Sequence, residues 1–575
     1  MSDMLISGGT VVDGTGAPAY RADVRVCNGV ITEIGQNLKP RAEERLFDAS
    51  GCYVAPGFIE SHTHFDGTMW WAPEMDPLPG FGVTTSIMGN CGFSAAPVSK
   101  DEAARLEMVK IFSFFEDIPI EPFIKELPWD WNTWSEYKQS LTSRLKVSAN
   151  YGAFVGHIAI RLAVMGLDAW ERVATPEEIA RMAELLDDAL KAGALGMSSN
   201  LLDHDGDDRP IPTLVADDAE FSALIDVLEK YPAATFQVIL DTFMRMSAPM
   251  QMERIARLCG ERRIRVQFAG GVPTLEFQKP MQGQMVESIE RFKKQGLDFW
   301  AGYAHVSPTN TLGIKHSLIF AQSNDYVWHE VVLAETEEEK TRLLRDPDWR
   351  ARARNSWDNE AWKHSPMANG KTLLLLNSDN GVGPVRLTLG EYAEQLGGVH
   401  PSDAMAEWLI RNGLDSTVHM PPFPMDEDMV ISLLKDPHSV GNINDAPAHG
   451  QMLCGGGENM VLFTKYVKQL GALTVEEAVH VMTGKLARHF NLHDLGEIKV
   501  GNRADITVFN LDEIEHREMK KVYDVPDGKG GKIWRWTRDA APMRLTLVNG
   551  IPTFDNGVYT GARPGEMLSP VQTAA

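Results

Sequence analysis

The residues best suited to chemistry lie in three short stretches. The first is Pro56-Gly57-Phe58-Ile59-Glu60-Ser61-His62-Thr63-His64-Phe65-Asp66, an apolar strand running into His-X-His. Residues two apart on an extended chain point to one side, so His62 and His64 can aim both imidazoles at one ion. Neutral imidazole suits zinc and similar transition metals. The second stretch runs from Gly82 to Gly92, where Val83-Thr84-Thr85-Ser86-Ile87 leads to Gly89-Asn90-Cys91-Gly92. A thiolate at a strand end is a soft metal ligand. A plain buried thiol is the competing reading, and it suffices for Cys27, Cys52, Cys259 and Cys454. The third stretch, Val440 to Gly450, carries Asp445 and His449. A carboxylate here can bind metal and move a proton. Asp379, closing Leu373-Leu374-Leu375-Leu376-Asn377-Ser378, competes for that role, and pattern alone does not separate the two.

Such groups need strands that deliver them to one place. The middle of the chain alternates apolar runs with helical patterns, the signature of a parallel α/β sheet. Candidate strands are Tyr53–Glu60, Val83–Met88, Gly152–His157, Ala194–Ser198, Thr235–Leu240, Ile264–Phe268 and Leu373–Leu376. Capping boxes at Thr175/Glu178, Thr336/Glu339 and Thr474/Glu477 start helices. Both termini read as short strands with glycine turns, Asn28-Gly29 being a two-residue hairpin signal. Neither end alone has enough strands for a sheet with a core. The expected architecture is a TIM (β/α)8 barrel with insertions plus a small β-sandwich domain built from both ends. Its expected parts are 1–56, a barrel over 57–490 with an insertion around 270–370, and 491–575. Barrels of this kind hold their chemistry at the carboxyl ends of the strands, where these motifs fall.

Composition narrows the partners. The 575 residues are 43% hydrophobic and carry a net charge of −24, which disfavours phosphate backbones and hence nucleic acid. Five widely spaced cysteines do not form a disulfide framework. No basic leader precedes an apolar run, and no stretch reaches the roughly 18 apolar residues of a spanning helix. A cytoplasmic enzyme, with no membrane partner and a tendency to form homo-oligomers, is expected.

Taken together the motifs resemble the amidohydrolase superfamily and, within it, the N-acyl-D-amino-acid deacylase (D-aminoacylase) group. The resemblance runs from Leu5-Ile6-Ser7-Gly8-Gly9-Thr10-Val11-Val12-Asp13-Gly14 through the His62/His64 and Cys91 motifs. It continues in Val155-Gly156-His157 with Arg161 and Met165-Gly166, and ends in Gly496–Gly501 and Ala504–Val508. It implies that the catalytic aspartate sits shortly before the closing helix. Asp445 lies 29 residues before Thr474 and Asp379 lies 95, which favours Asp445. The group also carries two further histidines at the ends of barrel strands five and six, one in Thr-His-Met-Arg and one in Ser-His-His-Lys. The counterparts here, Thr235-Phe236-Gln237-Val238 and Gln267-Phe268-Ala269-Gly270, have none. His204, His305 and His329 are candidate replacements.

The expected activity is hydrolysis of a C–N amide bond in an N-acyl amino acid or similar small molecule. One or two divalent ions, zinc first, would be held by His62, His64, Cys91 and Asp445. Asp445 would accept the proton of a metal-activated water and pass it to the leaving nitrogen. His157 would polarise the carbonyl, Arg161 would meet a substrate carboxylate, and His449 would orient Asp445 or bind substrate. Trp70-Trp71 could line the pocket mouth, and Gly455-Gly456-Gly457 reads as a flexible turn. A cyclic amide or lactone hydrolase, or a metal-free scaffold, would keep the same fold.

Overall fold

Runs of Val, Ile, Thr and Phe without polar alternation belong to strands covered on both faces. Such runs build the centre of the molecule. The computed structural model describes residues 3–207, 209–242, 245–307, 309–315, 327–358 and 372–572. We label the central strands β1 (Phe58–Glu60), β2 (Val83–Met88), β3 (Asn150–Ala153 continued by Val155–Gly156), β4 (Gly196–Asn200), β5 (Thr235–Ile239), β6 (Arg265–Ala269), β7 (Asp298–Gly302) and β8 (Ser439–Val440). All neighbouring pairs are parallel, in the order β1-β2-β3 and then β3-β4-β5-β6-β7-β8. The last strand returns to the first through a parallel bridge between His62 and Ile443, and Ser61 N–H donates to Asn442 O at 3.3 Å. This is the connectivity of a closed α/β barrel. The sequence reading missed β7 and β8, whose apolar runs are only a few residues long.

Helices between the strands follow from their own punctuation. In helix Pro176–Ala192, the Thr175 and Glu178 side chains cap each other's backbone, proline occupies the first turn and Gly193 ends the helix at φ 98°. Met182, Leu185, Leu186, Ala189 and Leu190 form its buried stripe, the spacing of one helix face. At the amino-terminal mouth of the barrel, helix Gly484–His489 acts as a plug. Lys485 Nζ donates to Ser439 Oγ at 2.7 Å, and His489 Nε2 meets Gln267 Oε1 at 2.9 Å.

Two other units surround the barrel. Strands from both termini pair in one nine-stranded sheet, in which Tyr53–Pro56 lies between Met4–Val11 and Ile506–Phe509. Gly550, at the turn after Met543–Val548, packs against Gly29 and Val26, so distant parts of this sheet meet around a shared core. Between β7 and β8 the chain makes a long excursion with its own core, centred on Trp328, Trp349, Trp357 and Trp408. Its sheet is antiparallel, with Thr417–Met420 between Asn310–Gly313 and Leu374–Asn377. The insertion expected around 270–370 is therefore shifted: helix Lys279–Lys294 and β7 serve the barrel, and the excursion extends to Met420. Leu373–Leu376, expected in the barrel, belongs to this outer sheet. A separate hairpin, Met519–Pro526 with Lys532–Arg538, reaches back to the barrel, where Trp536 N–H donates to Gly450 O at 2.7 Å.

Among the side chains that tie β1 to β8, Asn442 makes two contacts at once. Asn442 Nδ2 donates to Ile59 O and to Glu60 Oε2, both at 2.8 Å, while its backbone sits at φ 60°. Asparagine tolerates that left-handed conformation better than most residues. An Asn442→Ala substitution strains the backbone and removes two buried hydrogen bonds, one to Ile59 O and one to Glu60 Oε2. It is expected to cost about 2–4 kcal/mol in urea denaturation; an unchanged midpoint would mean that the join is held elsewhere.

Candidate metal centre

His62 and His64 emerge just past β1, Cys91 just past β2 and Asp445 just past β8. The barrel thus brings three distant stretches to one end. One ligand atom from each of His62, His64 and Cys91 lies within 4.8 Å of the others, and all three residues are buried. Among the described residues no other group of three such side chains is gathered this closely. His62 Nε2 lies 3.1 Å from Cys91 Sγ and 3.2 Å from Asp445 Oδ1; His64 Nε2 lies 3.7 Å from the same oxygen.

A further carboxylate completes the cluster. Glu116 ends helix Glu102–Phe115, and its Oε2 sits 3.3 Å from His64 Nε2 and 3.8 Å from His449 Nε2. Sequence reading did not find it. Its only trace is a pair of acids, Glu116-Asp117, closing an otherwise apolar helix end. His449 is tied to it twice, since its backbone N–H donates to Glu116 O at 2.6 Å.

Local backbone holds these groups in place. Cys91, Asp445 and His449 all adopt φ of 56°. The Cys91 loop is pinned from the barrel interior: Ser198 Oγ accepts from Gly92 N–H, Gln237 Oε1 accepts from Cys91 N–H, and Asn200 Nδ2 donates to Cys91 O. Ser198 and Gln237 are in-register partners on β4 and β5, so the strand register itself places the thiol. On the opposite side Asn442 and Asn444 both donate to buried Glu60, fixing the segment that carries Asp445. Gly455 is a close-approach residue and not the flexible turn expected, because a Cβ there would lie 1.7 Å from Asn444 O.

The electrostatics suit a cation. Burial pushes the Glu116 carboxyl up to about 8, the His64 cation pulling against it. His64 itself is raised to about 8, because Glu116 and Asp445 outweigh its burial. His62 and His449 are lowered to about 4, mainly by burial, and burial pushes the Cys91 thiol well up. Burial works against the Asp445 charge, but His62, His64 and His449 hold that carboxyl well below its usual range. Neither ring nitrogen of buried His64 has a partner with hydrogen-bond geometry. Orphaned imidazole, thiol and two carboxylates together form a donor set that fits a divalent ion.

The remaining expected residues fall elsewhere. His157 and Arg161 are fully buried and form a triad with Glu220. His157 Nδ1 meets Ser199 Oγ at 2.9 Å and its Nε2 meets Glu220 Oε1 at 2.8 Å. Arg161 binds the other Glu220 oxygen and also donates to Ala169 O and Arg172 O. Polarising a substrate carbonyl or holding its carboxylate needs an open face, and both side chains are closed on all sides by these partners. The structure therefore gives them a supporting role beneath β3 and β4. Asp379 sits in the outer excursion, where its N–H donates to Ser416 Oγ. His204 lies in the loop after β4, His305 meets Glu458 O at 3.2 Å, and His329 opens a helix of the excursion; none joins the cluster. Gln267, which opens one of the two stretches that lack the expected histidines, faces the plug helix through His489. Trp71 borders a cavity beside the cluster, whereas Trp70 stacks on Trp131.

Two outcomes follow. Arg161→Met leaves the buried Glu220 short of its cation, and is expected to cost about 3–5 kcal/mol in chemical denaturation; a change under about 1 kcal/mol would reject the supporting role. Metal binding requires deprotonated ligands. Because Glu116, His64 and Cys91 are shifted upward, their protons must leave on binding, so affinity should rise steeply between about pH 6 and about 9. Competition with a chromophoric chelator measures this, and a flat profile would exclude these residues as the ligand set.

Comparison with known proteins bears on the fold and the family. The chain is 27% identical over 580 residues to N-acyl-D-glutamate deacylase of Alcaligenes xylosoxydans xylosoxydans, covering 98% of this chain and 96% of that one. It is 25% identical over 583 residues to D-aminoacylase of the same organism, covering 100% and 98%. Its fold matches the crystal structure of N-acyl-D-glutamate deacylase from Bordetella bronchiseptica, complexed with zinc and a phosphonate inhibitor. That match has a TM-score of 0.66, 23% identity and 99% of each chain covered. The model of the Amidohydrolase family matches residues 45–554. The chain belongs to the amidohydrolase family and is a hydrolase of carbon–nitrogen bonds other than peptide bonds.

Proposed function

We propose that this chain is a metal-dependent deacylase of N-acyl amino acids or closely similar N-acyl compounds. The observation that carries the reading is the gathering of His62, His64, Cys91 and Asp445, with Glu116 against His64, at the carboxyl ends of the barrel strands. A second support is the full-length likeness to deacylases, and zinc is favoured by the thiolate and imidazole donors and by the zinc in the Bordetella relative.

A bound divalent ion supplies Lewis acidity and lowers the pKa of a water to about 7. The chain's own groups do the rest. Asp445 stays ionised at neutral pH, and 40% of its side chain is open, so it can take the water proton and return it to the leaving nitrogen. Glu116 Oε2, 3.3 Å from His64 Nε2 and 3.8 Å from His449 Nε2, steadies both rings. His449 borders the cluster with its Nδ1 uncommitted to protein, which suits a contact to the substrate carbonyl.

The cavity beside these groups has a volume of about 330 Å³. Phe65, Trp71, Ile118 and Pro447 wall it from the barrel side, and Val525 and Trp534 wall it from the hairpin. These apolar walls suit the acyl group or an apolar side chain. Arg535 is committed to Asp76 at 3.0 Å and Asp524 at 2.7 Å, which leaves Lys532 at the rim as the cation for a substrate carboxylate.

The direct test combines metal content with turnover. Protein purified without added metal or chelator is analysed for metal per chain, then assayed for amine release from a panel of N-acyl-D- and N-acyl-L-amino acids. The expected result is bound divalent metal, turnover of at least one class, and a loss of about 10²–10⁴ in kcat for Asp445→Asn with KM little changed. An Asp445→Asn enzyme of full activity would end the proposed proton transfer, and no metal uptake at any pH would end the reading as a whole.

A further inference from the structure

Gln237 stands on β5, within the stretch Thr235–Val238 that corresponds to one of the histidine-bearing stretches of the resemblance, and its contacts fix more than its own position. The chain of hydrogen bonds begins at backbone. Asn90 Nδ2 lies 3.1 Å from Thr63 O and 2.9 Å from Ile87 O, both pure acceptors. The amide nitrogen of Asn90 must point there, so its Oδ1 faces Gln237 at 3.0 Å. The Gln237 atom opposite Oδ1 must then be a donor, Nε2. The other end of the same amide receives the Cys91 N–H at 3.2 Å and must be the acceptor, Oε1. Both ends are fixed by groups whose roles cannot reverse. Gln237, Asn90 and His62 are all buried, so water does not relax the constraint.

The second proton on Gln237 Nε2 points at His62 Nδ1, 3.3 Å away. That nitrogen must accept. The proton of neutral His62 is therefore on Nε2, which faces two acceptors, Cys91 Sγ at 3.1 Å and Asp445 Oδ1 at 3.2 Å. This reverses the usual support of a metal-bound histidine. There, Nδ1–H donates outward to a carbonyl or carboxylate, and Nε2 is left with a lone pair for the ion.

We propose that Gln237 is a positioning residue that holds His62 as the Nε2–H tautomer and thereby weakens the centre's hold on a divalent ion. The proposal rests on the reading of this cluster as a metal centre. For His62 to ligate through Nε2, its proton must move to Nδ1, where it would confront the Gln237 amide protons. His64 has no amide donor held against either ring nitrogen; its Nε2 faces only the carboxylates of Glu116 and Asp445, so no fixed proton opposes its capture of an ion alongside Cys91 and Asp445. The expected consequence is a single, readily exchanged ion instead of a tightly kept one.

The test separates the tautomer from the affinity. In metal-free full-length protein labelled with ¹⁵N-histidine, long-range ¹H–¹⁵N spectra identify the protonated nitrogen of His62, with the signal assigned by its loss in His62→Gln. Zinc affinity is measured by chelator competition for wild type, Gln237→Glu and Gln237→Leu. In Gln237→Glu the introduced carboxylate accepts from Nδ1–H; in Gln237→Leu the opposing donor is removed without adding charge. The expected result is Nε2–H in the wild type and zinc affinity about 10–100-fold tighter in both variants, the range typical of changes to groups supporting a metal ligand. Protonation at Nδ1 in the wild type overturns the proposal whatever the affinities. Nε2–H with unchanged affinity in Gln237→Glu overturns the role in metal binding, and tightening in Gln237→Glu alone assigns the effect to added charge and overturns it as well. If Gln237→Leu does not fold, the comparison of tautomers in wild type and Gln237→Glu decides, a shift to Nδ1–H with tighter zinc being expected. Because the tautomer is read without metal or substrate, failure to find an N-acyl substrate would leave this result standing.

Discussion

The structure depends on the closure of the barrel between its first and last strands. Asn442 and Asn444 reach across that seam to Glu60, a carboxyl with no exposure to solvent that burial and nearby Glu458 push well up. Both amides converge on the same oxygen, Oε2, and losing them would leave the buried acid without a donor, so the seam has little freedom to slip. His62 begins one side of it and Asp445 ends the other. Register at this seam therefore sets the distance between the imidazole and the carboxylate, and no local feature of either segment could do so alone.

The same economy governs the rest of the centre. Buried polar side chains inside the barrel point upward and hold the loops above them: Ser198 the Gly92 amide, Gln237 the Cys91 amide, Asn200 the Cys91 carbonyl. Left-handed backbone at Cys91, Asp445 and His449 is a local cost borne where the chain must turn its donors inward. Charge is concentrated in the same place. Glu116, Asp445 and Asp66 surround two histidines, so the raised acid Glu116 and the raised base His64 answer each other. A cation entering this cluster replaces protons.

The outer units contribute shape. The excursion between β7 and β8 has an independent tryptophan-rich core. The hairpin Met519–Arg538 departs from the terminal sheet to wall one side of the cavity, with Trp534 facing the barrel loops. The pocket is assembled from segments as far apart in the chain as Phe65 and Trp534.

Sequence alone determined the parts whose signal is local. His-X-His after an apolar strand, the Cys91 loop, the capping boxes at Thr175, Thr336 and Thr474, and the Asn28-Gly29 hairpin are set by side-chain spacing and backbone preference over a few residues. The choice of Asp445 over Asp379 came from resemblance and chain order, because both close an apolar run. Only the tertiary structure decided the rest. Glu116 joins the centre because a helix end is packed there, a placement that no motif encodes. His157 and Arg161 look like site residues in the chain but are neutralised by Glu220, 59 residues beyond Arg161. The meaning of Gln237 is likewise invisible in a string of letters: an amide becomes informative once backbone groups on two other strands fix which of its ends donates.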